Sequence, residues 1–188
     1  MKDSFILISI LNISIINGVF LFNLENIVLR IPTLKDGIGV FDLVKSCPPL
    51  DTNSSYCNLL QCSHFASTSV AAEHQGELAG FISGYIIPDR PNTLFVWQVA
   101  VSEHARGAGL ASRMLRQLLE RPTCKNITYL ETSITQDNQA SWALFKGLAK
   151  TLTLDLQSME WMDRDVHFSG RHDSEALVRI GPLSPLTK

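Results

Sequence analysis

The sequence lacks the charge imbalance and the cysteine spacing that are typical of nucleic-acid-binding and zinc-binding proteins. Its 188 residues carry 16 basic and 18 acidic side chains, for a formal net charge of -2, and the basic residues form no stripe. Proteins that bind polyanions usually carry a basic surface, so we expect no nucleic-acid partner. The four cysteines form no CxxC pair and fit no zinc spacing. We therefore expect free thiols, no metal cofactor and a location in the reducing cytoplasm.

One long apolar run stands at the N-terminus. Residues 5–24 carry no charge, follow a single lysine and are interrupted by three asparagines. A signal-peptide core or a membrane anchor is one interpretation, and an appendage outside the fold or a start site assigned too early is the other. The asparagines and the lack of a clear cleavage site favour the appendage or the early start site, so we expect no membrane partner. We expect one domain at residues 27–182, with the leader 1–26 and the tail 183–188 outside it.

Hydrophobic periodicity predicts alternating strands and helices along the remaining chain. Apolar residues that alternate predict strands, and apolar residues three and four apart predict helices. The predicted elements are strands at 27–31, 67–73, 78–87, 94–101, 127–133, 148–156 and 176–180, and helices at 35–46, after 53–55, at 110–119 and at 138–147. This order has antiparallel hairpins early and a βαβ crossover late, which predicts a mixed α/β fold.

A glycine-bearing turn between a predicted strand and a predicted helix is the strongest functional signal. It reads Arg106-Gly107-Ala108-Gly109. Because glycine has no Cβ, backbone N–H groups at such a turn can approach a phosphate closely, and the helix that follows directs its positive end toward the anion. The spacing is neither the GxGxxG of dinucleotide folds nor a Walker loop. An ordinary turn of small residues is the alternative interpretation.

The turn resembles the pyrophosphate-binding loop of the GCN5-related N-acetyltransferase (GNAT) superfamily, which uses acetyl-CoA. A second block agrees, since Asp137-Asn138 precedes a predicted helix of small residues where the superfamily lines the pantetheine arm. The resemblance implies acetyl-CoA as cosubstrate and a central, mostly antiparallel mixed sheet flanked by helices. Many members place a thiolate-protonating tyrosine near position 145, but Phe145 has no hydroxyl. The residues expected to bind acetyl-CoA are Val99, Val101, Arg106, Gly107, Ala108, Gly109, Leu110, Ala111, Asn138 and Ser141.

Two longer strings narrow the resemblance. Residues 30–37 read Arg-Ile-Pro-Thr-Leu-Lys-Asp-Gly, and residues 50–56 read Leu-Asp-Thr-Asn-Ser-Ser-Tyr. Over residues 28–182 the chain closely resembles the diaminobutyrate acetyltransferases of ectoine biosynthesis. That family transfers acetyl from acetyl-CoA to the 4-amino group of L-2,4-diaminobutanoate. The resemblance implies this reaction, a small diamino acid substrate and a homodimer.

A substrate with two ammonium groups needs carboxylates and apolar or aromatic walls. Asp51 is the candidate to hold an ammonium, with a turn or capping role as the alternative. Tyr56 is a candidate to orient the substrate or to donate a proton to the leaving thiolate. Trp97 is a candidate cation–π wall. Packing roles in the protein interior are the alternatives for both aromatic residues.

The attacking amine must lose a proton, because alkylammonium groups are mostly protonated at neutral pH. The candidates for this base, which also count as substrate-binding residues, are Glu131, Glu160 and His172. Histidine suits the task because imidazole titrates near neutral pH. A backbone N–H at or near Val99 is expected to polarise the thioester carbonyl. A covalent route through Cys57 stays open, although an amine attacks a thioester directly.

Two other functions stay open. A GNAT enzyme for another small amine or for a protein N-terminus would differ in its acceptor site, which would be an open groove for a peptide and a narrow, acidic pocket for a diamine. A non-catalytic CoA-binding module is favoured by Phe145 and opposed by the string at residues 50–56.

Overall fold

The computed structural model describes residues 13–16, 19–22 and 26–183 of the chain. Strands β1 (Ile13–Ile16) and β2 (Val19–Phe22) pair with each other in antiparallel fashion. Most of the apolar leader and nearly all of the tail lie outside the described residues, so both domain boundaries stay predictions. Within the described ranges, no helix has both the length and the apolar character needed to cross a bilayer.

Seven strands form one mixed sheet. They are β3 (Ile27–Arg30), β4 (Val70–His74), β5 (Glu77–Ile87), β6 (Arg90–Val101), β7 (Tyr129–Thr135), β8 (Leu156–Met162) and β9 (Glu175–Ile180). Their spatial order is β3-β4-β5-β6-β7-β9-β8. Neighbouring strands are antiparallel except β6 and β7, which run parallel. The predicted fold class, a mixed and mostly antiparallel sheet flanked by helices, is confirmed.

Helices cover both faces of this sheet. The α-helices of residues 26–183 are α1 (Gly37–Lys45), α2 (Ser55–Gln61), α3 (Leu110–Leu119) and α4 (Gln139–Leu152). The larger apolar cluster packs α3 and α4 against the face that carries Ile82. A smaller cluster packs α1 against Phe81 on the opposite face, since adjacent strand residues point to opposite sides. Burying each such side chain contributes about 1.5–3 kcal/mol to folding.

Polar side chains cap the N-termini of two helices, α2 and α4. The Ser54 hydroxyl accepts a hydrogen bond from the Cys57 N–H, and the Asn138 side chain accepts one from the Ser141 N–H at 3.0 Å. Each cap satisfies an N–H that the first helical turn leaves without an intrahelical partner. These caps fix where α2 and α4 start.

A bulge in β6 separates the half that pairs with β7 from the half that does not. Ser83 of β5 pairs with Gln98 and Gly84 pairs with Val96, so Trp97 is an extra residue opposite no partner on β5. Pairing between β6 and β7 runs from Thr93 to Val96 and stops there. The stretch of β6 after the bulge is therefore hydrogen-bonded to β5 but not to β7.

Several predicted elements have different bounds in the structure, and two of the differences are large. The predicted strand at 148–156 is wrong except at its last residue, because α4 continues through Gly147 to Leu152 and the strand is Leu156–Met162. Leu148 and Ala149 are buried beside Phe145 in the main cluster, and this packing outweighs the low helix propensity of glycine. Strand β6 begins at Arg90, four residues before the predicted start at 94.

Candidate active site

A cleft of about 560 Å³ lies between the turn after β6 and the start of α4. Gly107 and Gly109 have φ values of 77° and 80°, and a Cβ at either position would meet no atom within 4 Å. Both residues adopt the left-handed conformation that favours glycine, and they leave the backbone open to the cleft. Helix α3 starts directly after them. The turn therefore fits a pyrophosphate group, which N–H groups at a helix N-terminus attract.

The residues predicted to bind acetyl-CoA come together around this cleft, with one exception. Those that line it are Val99, Val101, Arg106, Gly107, Gly109, Leu110, Ala111, Asn138 and Ser141, whereas Ala108 does not line it. Arg106 is exposed, and its Nε donates a hydrogen bond to the Val101 carbonyl at 3.0 Å. The sequence prediction missed the opposite wall, residues 47–50, because this segment precedes the turn by more than fifty residues.

A second cavity of about 860 Å³ adjoins the cleft. The two spaces share the lining residues Pro49, Leu50, Val99, Asn138 and Ser141. A molecule in the cleft and a molecule in the cavity can therefore meet at one junction. Val99 lies at this junction, on the half of β6 that does not pair with β7. Backbone N–H and C=O groups that point toward β7 in this half therefore make no ladder hydrogen bond to it.

Charged side chains cluster at one end of the larger cavity. The His172 Nε2 lies 3.3 Å from the Asp51 Oδ2 and 3.8 Å from the Glu175 Oε1. The His172 Nδ1 donates a hydrogen bond to the Asp173 carbonyl at 2.7 Å, because a carbonyl only accepts. The histidine thus presents Nε2 to two carboxylates. The prediction missed Glu175, which the structure places at the start of β9 opposite Thr135.

Aromatic rings form the walls of the same cavity. They belong to Phe65, Tyr85, Phe95, Trp97, Phe145, Trp161 and Phe168. The ring centroids of Phe95 and Trp161 are 5.8 Å apart, and those of Tyr85 and Trp97 are 6.4 Å apart. Trp161 is the extra residue of a bulge in β8, as Trp97 is in β6. Sequence reasoning predicted only Trp97 among these rings as a substrate-binding residue.

The charge of the cavity is one-sided. Its carboxylate and imidazole side chains are those of Asp51, Asp137, His172, Asp173 and Glu175. In the described part of the chain no lysine or arginine lines it. Carboxylates and aromatic faces attract ammonium groups, so the cavity is suited to a small cation. Among residues 26–183, no three histidine, cysteine, aspartate or glutamate side chains gather as a metal site would require.

Three predicted site residues do not join this cluster. Tyr56 is 68% exposed and lines neither cavity, and Glu160 is likewise exposed and outside both. Glu131 is fully buried and accepts hydrogen bonds from Arg90 and Arg179. Burial would raise the pKa of Glu131, but these two guanidinium groups outweigh it and hold the pKa below its usual value. A carboxylate held in this way is a weak base.

Two further side chains bear on the chemistry at the junction. Phe145 is 2% exposed and lines the larger cavity, so an apolar ring stands where many GNAT enzymes carry a hydroxyl. Cys57 lines neither space, and burial raises the pKa of its thiol. A thiol in that state is a poor nucleophile, which disfavours the covalent route.

Comparison with known proteins gives one consistent family. Residues 39–149 match the Acetyltransferase (GNAT) family. L-2,4-diaminobutyric acid acetyltransferase from Methylotuvimicrobium alcaliphilum is 56% identical over 157 residues, which cover 84% of this chain and 91% of that protein. The enzyme of the same name from Halomonas elongata is 49% identical over 156 residues, covering 82% and 81%.

A solved structure agrees with these relatives. Diaminobutyrate acetyltransferase EctA from Paenibacillus lautus, in complex with its substrate L-2,4-diaminobutyric acid and coenzyme A, is 36% identical with a TM-score of 0.81. The match covers 86% of this chain and 98% of that one. With the glycine turn and the acidic, aromatic cavity, these similarities establish that the chain belongs to the GNAT superfamily and, within it, to the diaminobutyrate acetyltransferases.

Proposed function

We propose that the protein transfers the acetyl group of acetyl-CoA to the 4-amino group of L-2,4-diaminobutanoate, the second step of ectoine biosynthesis. The observation that carries this assignment is the cavity lined by carboxylates and aromatic rings, which opens into the glycine-turn cleft. Relatives that are 39–56% identical are named for this reaction, and the P. lautus structure holds both the diamino acid and coenzyme A. An acidic cavity walled by aromatic rings supports a small diamine over a protein N-terminus.

Acetyl-CoA supplies the activated thioester. We assign its pyrophosphate to the turn with Gly107 and Gly109 and its pantetheine arm to the cleft wall at Asn138 and Ser141. The open backbone at both glycines and the small side chains of the wall support this assignment. The thioester then lies at the junction beside Val99, where backbone N–H groups that do not pair with β7 polarise its carbonyl.

The substrate ammonium groups belong at the acidic end of the larger cavity. We assign one ammonium to the Asp51 carboxylate and a supporting charge to Glu175, since both oxygens already face the same imidazole nitrogen. Trp97 and its neighbouring rings cover the aliphatic part of the substrate. This arrangement selects a short, doubly ammonium-bearing amino acid by charge and by length.

We assign the base to His172. The amine has a pKa of about 10.4 and must be deprotonated before it attacks the thioester carbonyl. The hydrogen bond from Nδ1 to the Asp173 carbonyl leaves Nε2 to take this proton, directly or through water. The amine then attacks without an acetyl-enzyme intermediate. The tetrahedral adduct then expels the CoA thiolate, which leaves readily because thiols have a pKa of roughly 8.5. The second proton of the attacking nitrogen passes to this thiolate or to water, so the step needs no hydroxyl at position 145.

We further propose a cytoplasmic homodimer. Acetyl-CoA is a cytoplasmic metabolite, which favours that compartment. Strand β8 is an edge of the sheet, and it exposes Met159 by 49% and Trp161 by 40%. Exposed apolar groups on an edge strand support pairing with a second copy. Light scattering at micromolar concentration tests this, and a monomer would rule it out.

A steady-state assay tests the function and the assigned residues together. Thiol release is followed with L-2,4-diaminobutanoate, ornithine, lysine and an N-terminal peptide as acceptors, and the acetyl position is read by NMR. We expect turnover with diaminobutanoate and acetylation at N4. Asp51→Asn should raise KM for the diamine at least tenfold, whereas His172→Gln should lower kcat about 10²-fold, the usual effect of losing a general base.

Three outcomes would contradict the proposal. Preference for the peptide would favour a protein acetyltransferase. CoA binding without transfer to any acceptor would favour a non-catalytic module. An unchanged kcat and pH profile in His172→Gln, with Glu160→Gln inactive instead, would move the base to Glu160.

A further inference from the structure

Gln98 is a buried polar residue to which the chemistry above assigns no role. Its side chain lines the larger cavity, and the residue is only 7% exposed. The Nε2 donates a hydrogen bond to the Asp51 backbone carbonyl at 2.8 Å, and the Oε1 accepts one from the Asn53 Nδ2 at 2.9 Å. Both ends of the amide are therefore bonded to the short segment that carries Asp51.

The bulge at Trp97 explains why this amide faces that segment. Gln98 pairs with Ser83, and Ala100, two residues further, packs in the smaller cluster beneath α1. Alternation along the strand places Gln98 on that same face, below residues 51–53. Without the extra residue, Gln98 would point to the other face of the sheet.

Residues 51–53 depend strongly on this contact. Within the described residues, the two bonds from Gln98 are the only hydrogen bonds that join this segment to the sheet. The Asp51 side chain is 74% exposed, so packing does little to fix its position. Gln98 precedes Val99 on β6, and one strand therefore anchors both the ammonium-binding segment and the backbone beside the thioester.

We propose that Gln98 is a positioning residue that holds the Asp51 carboxylate at a fixed distance from the acetyl-transfer junction. The inference rests on the role of Asp51 in the proposed function. We call the two hydrogen bonds from Gln98 to residues 51–53 the clamp. The clamp restricts the conformations of residues 51–53 before the substrate binds, so the ammonium meets a preorganised carboxylate. Its loss lowers diamine affinity and misaligns the attacking amine, while the cofactor cleft, which Gln98 does not line, is unaffected.

Gln98→Met tests the clamp, because methionine is similar in length and makes neither bond. Losing two hydrogen bonds of ordinary strength should raise KM for diaminobutanoate about tenfold, lower kcat and leave CoA affinity by calorimetry unchanged. Ser83→Ala is the matched control, since its buried hydroxyl has no hydrogen-bond partner in the described chain and it pairs with Gln98 across the sheet. This control should leave KM unchanged.

A double-mutant cycle with Asp51→Asn separates positioning from general damage. If Gln98 acts through the Asp51 carboxylate, Gln98→Met has little further effect on KM in the Asp51→Asn background. Full additivity of the two effects, or a wild-type KM in Gln98→Met, would overturn the proposal.

A second variant tests the same pair of hydrogen bonds. If Gln98→Met does not fold, Asn53→Ala weakens the same clamp from the loop side and enters the same cycle. The function itself fails on separate grounds, namely no turnover by the wild-type protein or no effect of Asp51→Asn.

Discussion

Glu131→Gln would remove the charge at the centre of the Arg90–Glu131–Arg179 cluster and keep the side chain's size. The carboxylate is fully buried and accepts hydrogen bonds from the Arg90 Nη2 and the Arg179 Nε, each at 2.7 Å. Breaking a buried ion pair by removing one partner costs about 3–5 kcal/mol. Because the arginine side chains stay 41% and 32% exposed and can regain water, we expect the lower end, about 3 kcal/mol.

Urea denaturation at pH 7 measures this loss, with Glu77→Gln, an exposed carboxylate, as the control. A loss of this size lowers Tm by roughly 6–12 °C in a domain of this length. The folded-state pKa of Glu131 is depressed, so its contribution is complete above the ordinary carboxyl pKa and disappears as the pH falls through the depressed value. The stability gap between wild type and variant should therefore narrow in acid.

Activity well below the unfolding temperature gives the second reading. We expect kcat to be unchanged in Glu131→Gln, because the two arginines engage its carboxylate away from the cavity. A folded variant of wild-type stability would refute the energetic argument. A folded variant with kcat reduced about 10²-fold would show that Glu131 is the base after all.

Three other predictions follow from local geometry. Gly109→Ala should destabilise the protein by about 1–2 kcal/mol and weaken CoA binding in calorimetry, because its φ of 80° strains any L-residue. Gly147→Ala is the control and should stabilise the protein instead, because Gly147 lies inside α4 where a Cβ would meet no atom within 4 Å. Asp36→Asn should cost about 2 kcal/mol at pH 7, since Arg30 lowers the Asp36 pKa to about 2, and the cost in urea titrations should vanish as the pH falls from the ordinary carboxyl value toward 2. Cys57→Ser should keep turnover, and a trapped acetyl thioester on Cys57, seen by mass spectrometry, would contradict direct transfer.

The fold was predictable where pattern and packing agree. Helix α3 runs over Leu110–Leu119 as its apolar spacing predicts. The end of α4 was missed because Gly147 is a weak helix former, and only the tertiary burial of Leu148 extends the helix past it. Local propensity cannot register such packing.

The cofactor side was easier to predict than the acceptor side. The glycine turn and Asn138 are continuous motifs, so their chemistry is visible in short strings. The acceptor cavity is lined by residues from segments that are far apart in the sequence, and strand register decides which of their side chains point into it. Glu160 and Glu175 are both glutamates, and the sequence gives no reason to prefer one over the other, but only Glu175 lines the cavity. A single alternating pattern does not reveal which side of a sheet becomes a pocket.

The two tryptophans of the acceptor cavity are both extra residues of β-bulges. Each therefore has a second role as a spacer that sets the alternation of the strand after it. Exchanging Trp97 for another residue changes a wall of the cavity, whereas deleting it would shift the alternation of β6 and turn Val99 and Val101 away from the cleft that we assign to acetyl-CoA. Substitution at position 97 should therefore affect the acceptor cavity alone, whereas deletion should disturb the cofactor cleft as well. A change in chain length at this point would also move Gln98 to the opposite face of the sheet.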